Sequence, residues 1–260
     1  MGLFSALNTS TEGLRRTHDA LSVVSQNVSN ASNPSYVRRD YTYGEGQVGG
    51  SVRRALEPYL QRQVWRESAA TGYSAAQADV MKQLDQLYGS PDSKFNLSAS
   101  YSQFYTALQT LRADPSSSTQ QSVFLSAAKA FADRLNSLSD NVQSLRTSVE
   151  EALANATSEA NAALSTIADI NKKIDQSGGA PDPSFYDARD TAIKTLSSLM
   201  DVSVTQSADG IVSITTINGN TLLDASGARS LTFDSHSPLN ANSNYNALST
   251  LRTVGTISLG

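Results

Sequence analysis

Residues 131–176, FADRLNSLSDNVQSLRTSVEEALANATSEANAALSTIADINKKIDQ, decide the fold. Phe131, Leu135, Leu138, Val142, Leu145, Val149, Ala152 and Ala156 recur in alternating steps of four and three. After one extra step of four the alternation resumes at Ala160, Ala163, Ile167, Ile170 and Ile174. This is a coiled-coil seam with one stutter, where a supercoil unwinds locally. The alanines beside the stutter predict close approach of another helix. Extended back to about residue 116, the helix would be roughly 90 Å long. The expected fold class is mainly α: an elongated antiparallel helical bundle or coiled-coil rod, with an amphipathic N-terminal helix and a small β-rich C-terminal region.

Punctuation residues set the neighbouring elements. Pro58 stands at a favoured first-turn position, and a helix is expected over 58–88 with Leu60, Val64, Val80, Leu84 and Leu87 on its buried side. Gly89, Ser90 and Pro91 break it. A shorter helix, 97–112, carries Leu97, Tyr101, Phe104, Leu108 and Leu111 at helical spacing and stops at Asp114-Pro115. SGGAPDP closes the long helix, and Asp182 caps a further one that begins at Pro183 and runs to about Met200. Asp209-Gly210 and Asn218-Gly219 then lie between β-branched runs, so 201–234 reads as hairpins. His236 to Asn246 reads as loop, and TVGTISLG as a strand or the approach to another element.

At the N-terminus, 3–31 reads as a helix whose Leu7, Leu14, Leu21 and Val28 recur every seven residues, with Leu3 and Val24 in the companion row. Ser10 and Thr17 interrupt that row, so the seam is narrow and needs a partner helix. Asn33-Pro34 ends it. YVRRDYTY and SVRRAL look extended and flank GEGQVGG, a flexible or turned piece. The expected domains are 1–35, an amphipathic assembly helix; 36–57, a Gly/Arg/Tyr connector; 58–200, a long-helix coiled-coil domain; and 201–260, a β-rich domain read as incomplete.

Composition excludes most enzyme chemistry. The 260 residues include no cysteine and two histidines, His18 and His236. Disulfides, thiolate metal sites and cysteine nucleophiles are therefore ruled out, and no histidine-rich metal site is available within one chain. Charged residues make up 17% of the chain, against about 25% in a typical soluble domain, and the net charge is −4. That argues against a broad nucleic-acid-binding face. No apolar run approaches the eighteen or so residues of a membrane span. The N-terminus lacks the pattern of a cleaved secretion signal, and Ala6 stands where myristoylation requires Ser or Thr. The chain is expected to remain in the cytoplasm or to leave by a route that reads no such signal.

The remaining chemical candidates have plainer readings. Ser126 and Lys129 match a Ser-x-x-Lys pattern but lie inside the long helix without companion motifs. Glu150, Glu151, Asp187 and Asp190 read first as solvated helix faces. Arg38, Arg39, Arg53 and Arg54, interleaved with Tyr36, Tyr41 and Tyr43, suit a protein–protein contact better than a nucleic-acid site. No enzyme activity and no cofactor are expected. His236 is the one histidine of the β-region, and its neighbours suggest neither a triad nor a metal site.

QNVSNASNPSYVRR, residues 26–39, resembles the signature of the flagellar axial proteins, the rod, hook and hook-associated families. Asn27, Asn30, Pro34, Tyr36 and Arg38 match it. Ser35 departs from it, where the family usually has glycine, and Asn33 replaces a common threonine. FYDARDTAIKTLSSLMDVSV, residues 185–204, resembles the Asp-x-Arg-Asp helix of the hook-associated protein 1 (FlgK) family, with Asp187, Arg189 and Asp190 in register. The resemblance covers residues 1 to about 205 well and the β-region loosely.

The resemblance implies a structural subunit of the flagellum at the hook–filament junction, secreted through the flagellar type III system. It would assemble with copies of itself in a ring or helical lattice, beside hook protein and an adjacent hook-associated protein, with room for an export chaperone and without nucleic acid or membrane insertion. Tyr36 and Arg38 would fix where the chain leaves the N-terminal helix, and the Asp187/Arg189/Asp190 trio would lock its helix onto the long one. Family members are about twice as long and end in a helix that pairs with the N-terminal one. Residues 1 to about 35 are therefore expected to fray in solution and order on assembly. The alternative is a secreted coiled-coil adhesin or effector that uses the flagellar N-terminus only for export.

Overall fold

The computed structural model describes residues 2–42, 50–90, 93, 96–178, 181–236, 238–246, 248 and 251–260. Five helices carry most of it: α1 (Leu3–Ser29), α2 (Pro58–Tyr88), α3 (Leu97–Ala113), α4 (Ser118–Gln176) and α5 (Pro183–Leu199). Strands β1 (Arg39–Thr42) and β2 (Ser51–Arg54) pair antiparallel between α1 and α2. After α5 come β3 (Val202–Gln206), β4 (Val212–Thr216), β5 (Thr221–Asp224) and β6 (Gly227–Ala228), an antiparallel sheet in sequence order. β7 (Leu231–Asp234) pairs with β8 (Thr256–Leu259). The expected mainly-α class with a small β-rich C-terminal region is what forms. The GEGQVGG expectation falls largely on residues 43–49, outside the described residues.

The chain divides into two compact units, Met1–Gly72 with Glu159–Ser230, and Tyr73–Ser158 with Leu231–Gly260. Both divisions between helical residues fall inside helices: the one in α2 comes at Gly72, and the one in α4, between Ser158 and Glu159, has no Pro or Gly beside it.

In the first unit, Ala160, Ala163, Ile167, Ile170 and Ile174 of the seam are buried, and so are Leu164 and Asn171. The buried face is thus wider than a two-row coiled-coil seam, as for a helix packed on a mixed surface. It shares a core with Ile193 and Leu196 of α5, Val212 and Ile214 of β4, and Leu222 and Leu223 of β5. Asn171 is polar in that core because it completes the sheet. Its Nδ2 donates to the Val212 carbonyl at 2.8 Å, and its Oδ1 accepts from the Val212 N–H at 3.2 Å. The amide stands in for a strand neighbour where β5 does not reach.

The expected buried side of α2 needs correction in this unit. Leu60 and Val64 are exposed, and Trp65 is buried instead. The inward face is Gln61, Trp65, Ser68, Ala69 and Gly72, with a single large apolar residue, so hydrophobic spacing misses it. Gly72 is required there: a Cβ would lie 2.0 Å from the Ser198 carbonyl oxygen. On α5, Asp182 accepts from the Ser184 N–H at 2.8 Å, with Pro183 following, as expected of the cap. Those hydrogen bonds hold the Asp182 carboxyl below its ordinary value.

In the second unit, Phe104 of α3 stacks on Phe131 of α4 and meets Phe124, while Ala107 is the buried residue of α3. Tyr101 and Leu108, which share the helical spacing of Phe104, are exposed. Ala152 of the seam is exposed too, and Glu150 is buried in place of a solvated carboxylate. Its carboxylate accepts from Ser235 Oγ, the His236 N–H and the Gly255 N–H. One turn earlier Arg146 donates to the carbonyls of Asn240 and Ser243, and Thr147 Oγ1 accepts from the Leu239 N–H. α4 holds the 235–255 loop through its backbone.

Replacing Asn171 by Leu strands both backbone groups of Val212 and is expected to cost about 2–3 kcal/mol in urea unfolding. Asp182→Ala is expected to cost about 1 kcal/mol at neutral pH. Because the folded carboxyl is depressed, this contribution is present above its unfolded value and lost as pH falls through the folded one. The stability gap between wild type and D182A should therefore narrow below about pH 4 in melts across pH.

Candidate functional site

The residues of both sequence motifs meet in the first unit. Asn30 caps the C-terminus of α1, and its Nδ2 donates back to the Gln26 carbonyl at 2.9 Å. The turn that follows needs no glycine. Asn33 Oδ1 accepts from the Ser35 N–H at 3.0 Å, and among the described residues no non-glycine residue has positive φ. Pro34 sits inside this turn. Asn27 then ties the helix to β1: its Oδ1 accepts from the Arg39 N–H and from Tyr36 Oη, both at 2.9 Å, and its Nδ2 donates to the Arg39 carbonyl at 2.8 Å.

Arg39 and Arg54 face each other across the β1–β2 ladder. Two guanidiniums so placed repel unless anions lie between them. Two carboxylates of α5, three residues apart and so on one face, supply the anions. Arg39 Nη2 lies 3.1 Å from Asp187 Oδ2, and Arg54 Nη2 lies 3.0 Å from Asp187 Oδ1 and 2.6 Å from Asp190 Oδ2. Asp190 Oδ1 accepts from Arg189 Nη2 at 3.1 Å, and Arg189 Nη1 donates to the Gly210 carbonyl at 2.6 Å. The alternating chain Arg39–Asp187–Arg54–Asp190–Arg189 is largely out of water, with the Arg189 side chain 2% exposed. Burial pulls the Arg189 guanidinium down from its ordinary value, opposed by Asp190.

Tyr186 completes the assembly. The guanidinium carbons of Arg54 and Arg189 lie 5.6 and 5.0 Å from its ring centroid. Gly210 is fixed twice over, by φ of +83° and because a Cβ would lie 2.9 Å from Tyr186 Oη. The trio therefore grips the hairpin and the β3–β4 turn, and none of these partners is on α4.

Strand alternation divides the basic cluster. Each Arg-Arg pair puts one residue on each face, so Arg39 and Arg54 turn inward while Arg38 and Arg53 face solvent. Arg38 pairs with exposed Asp40 at 3.2 Å. Arg39, outside the recognised motif, makes the link between α1 and α5, and its guanidinium also lies 4.9 Å from the Tyr36 ring centroid. The Arg-Arg doublets on either side of the glycine-rich stretch of sequence were the available signal. The two motifs also line one cleft of about 480 Å³, with Asn30, Asn33, Tyr36 and Arg39 on one side and Asp182 and Asp187 on the other.

The N-terminal seam lies on the opposite face of α1 from this site. Leu7, Leu14, Leu21 and Val28 are 60%, 71%, 67% and 71% exposed, and Leu3, Phe4 and Val24 extend the stripe. Ser10 and Thr17, which interrupt it by residue type, donate their hydroxyls to the carbonyls of Ala6 and Gly13 in their own helix. The stripe is consequently drier than its residue types imply. Among the described residues no cluster of His, Asp and Glu could hold a metal ion, and no helix is long and apolar enough to cross a membrane. Ser126 and Lys129 lie on the exposed surface of α4.

Residues 81–257 match the sequence model described as the flagellar hook-associated protein FlgK helical domain. The chain is 26% identical over 250 residues to flagellar hook-associated protein 1 of Bacillus subtilis, covering 88% of this chain and 48% of that protein. It is 24% identical over 244 residues to flagellar hook-associated protein 1 of Salmonella typhimurium, covering 87% and 44%. It thus spans about half the length of the curated relatives it matches. The solved structure of the flagellar hook junction protein FlgK from Burkholderia pseudomallei superposes with a TM-score of 0.60 at 25% identity, covering 76% of this chain and 32% of that one. With both motifs meeting at one site and the helical domain matched over most of the chain, the chain belongs to the FlgK family of flagellar hook-associated proteins.

Proposed function

We propose that this chain serves as a structural subunit of the bacterial flagellum at the hook–filament junction, without enzymatic activity. It leaves the cell through the flagellar type III route and assembles with copies of itself, beside hook protein and an adjacent hook-associated protein. The exposed apolar stripe on α1 carries this reading. Seven large apolar residues on one solvent-facing helix side are an unfinished interface, and a partner helix in the assembly completes it. Before that pairing the N-terminal turns of α1 fray, because an isolated helix gains little from its own hydrogen bonds, while its C-terminal end stays held to β1 through Asn27.

The Asn27–Arg39–Asp187 connection sets the direction in which α1 leaves the body that carries α5. A lattice repeats one contact geometry many times, so an error in that angle accumulates over every subunit. The ion network supplies a fixed angle without occupying the apolar face. The family relationship supports the location, since the relatives are hook-associated proteins.

The test is to express the epitope-tagged chain in a strain that lacks its own junction protein and to isolate hook–basal bodies. Wild type is expected as a tagged layer at the hook tip. The exposed-stripe variant Leu14→Glu/Leu21→Glu should keep its helical circular dichroism and appear only in the medium. Equal retention of both chains would refute assembly through the stripe. Recovery of wild type only in the medium would favour a secreted binding protein.

A further inference from the structure

Two clefts in the first unit join along the outer side of β3. One, of about 350 Å³, lies between α2 and the strand and includes Arg62, Trp65, Val204 and Gln206. The other, of about 700 Å³, includes Arg53, Tyr186 and Gln206. Both contain Pro58 and Gln206, so they form one groove. Among the described residues no carboxylate lines either part, although the chain carries a net charge of −4. Arg62 donates its Nε to the Pro58 carbonyl at 3.3 Å and is exposed, as is Arg53 at the far end.

The strand edge specifies what the groove accepts. Ser207 N–H donates to the Ile211 carbonyl, so residues 203, 205 and 207 bond to β4. The N–H and C=O groups of Val204 and Gln206 point the other way, toward the open edge. β3 reads VSVTQ, with no charge, proline or bulge of the kind that blunts an edge strand. A groove that offers paired backbone donors and acceptors, an indole, and arginines at both ends suits an extended chain with acidic side chains. A nucleic acid would use the arginines but not the backbone edge, and among the described residues no lysine lines either part of the groove.

We propose that this groove binds an extended, acidic segment of a partner protein by strand addition to β3. The proposal does not depend on the junction role, because it rests only on the first unit's own surface. Trp65 is the single tryptophan of the chain, so its emission reports on the groove directly. The probe is a fluorescein-labelled peptide of about twelve residues alternating Glu and Val, read by polarisation and by Trp65 emission. A Lys–Val peptide of equal length and an oligothymidylate serve as competitors. Saturable binding of the Glu–Val peptide is expected, weakened at least about tenfold in Arg53→Ala/Arg62→Ala and by raised salt. Slowed amide exchange at Val204 and Gln206 should accompany it. No saturable binding, equal binding of the Lys–Val peptide, an unaffected double variant, or tighter binding of the oligothymidylate would each overturn the proposal.

Discussion

The pairing of Arg39 with Asp187 is the constraint on which the N-terminal unit depends. It joins a strand residue held by α1 to a helix that forms part of the core. Taking these charges out of water costs several kcal/mol per ion, and a lone pair would recover that only with good geometry. The solution is alternation: Asp187 lies between Arg39 and Arg54, and Asp190 lies between Arg54 and Arg189. The last guanidinium then finishes on a backbone carbonyl at Gly210. The arrangement still leaves the Nε groups of Arg39 and Arg54 buried without partners. Such a network adds less to stability than an apolar core of the same volume, but it tolerates few alternative geometries. A fixed direction between α1 and α5 is what the proposed assembly through the α1 stripe would require.

A second theme is the use of side chains to complete backbone hydrogen bonding. Asn27 pairs both backbone groups of Arg39, and Asn171 does the same for Val212. Glu150 gathers three donors from the loop it faces. Glu150, Thr157, Leu164 and Asn171 lie seven residues apart and are all buried, so α4 has a third inward row that is mostly polar. Because these side chains address backbone atoms, the segments they hold are free to vary in sequence while their paths stay fixed.

Much of the fold was legible because its signals are local. The four-three alternation from Phe131 to Ile174 marks a helix whatever surrounds it, and Asp182-Pro183, Asp209-Gly210 and Asn218-Gly219 act within a few residues of themselves. What escaped depends on partners distant in sequence. Glu150 and Asn171 look like surface residues until the loop and the strand they serve are in place. Trp65 wins burial over Leu60 and Val64 because Gly72 lets α2 approach α5 closely on that side. At the site, the residue types were visible but their division was not. Pleating sends Arg39 and Arg54 inward and Arg38 and Arg53 outward, and the adjacent doublets carry no mark of which is which.

The most direct measurement is the distance distribution between spin labels on α1 and α5. The chain has no cysteine, so Ser22→Cys with Lys194→Cys, both at exposed positions, allows labelling without background. The account predicts one narrow distribution for the otherwise wild-type chain, and a distinctly broader one when either Arg39 or Asp187 is also replaced by Ala. An unchanged width in both variants would contradict it, and would mean that something other than the ion network holds α1.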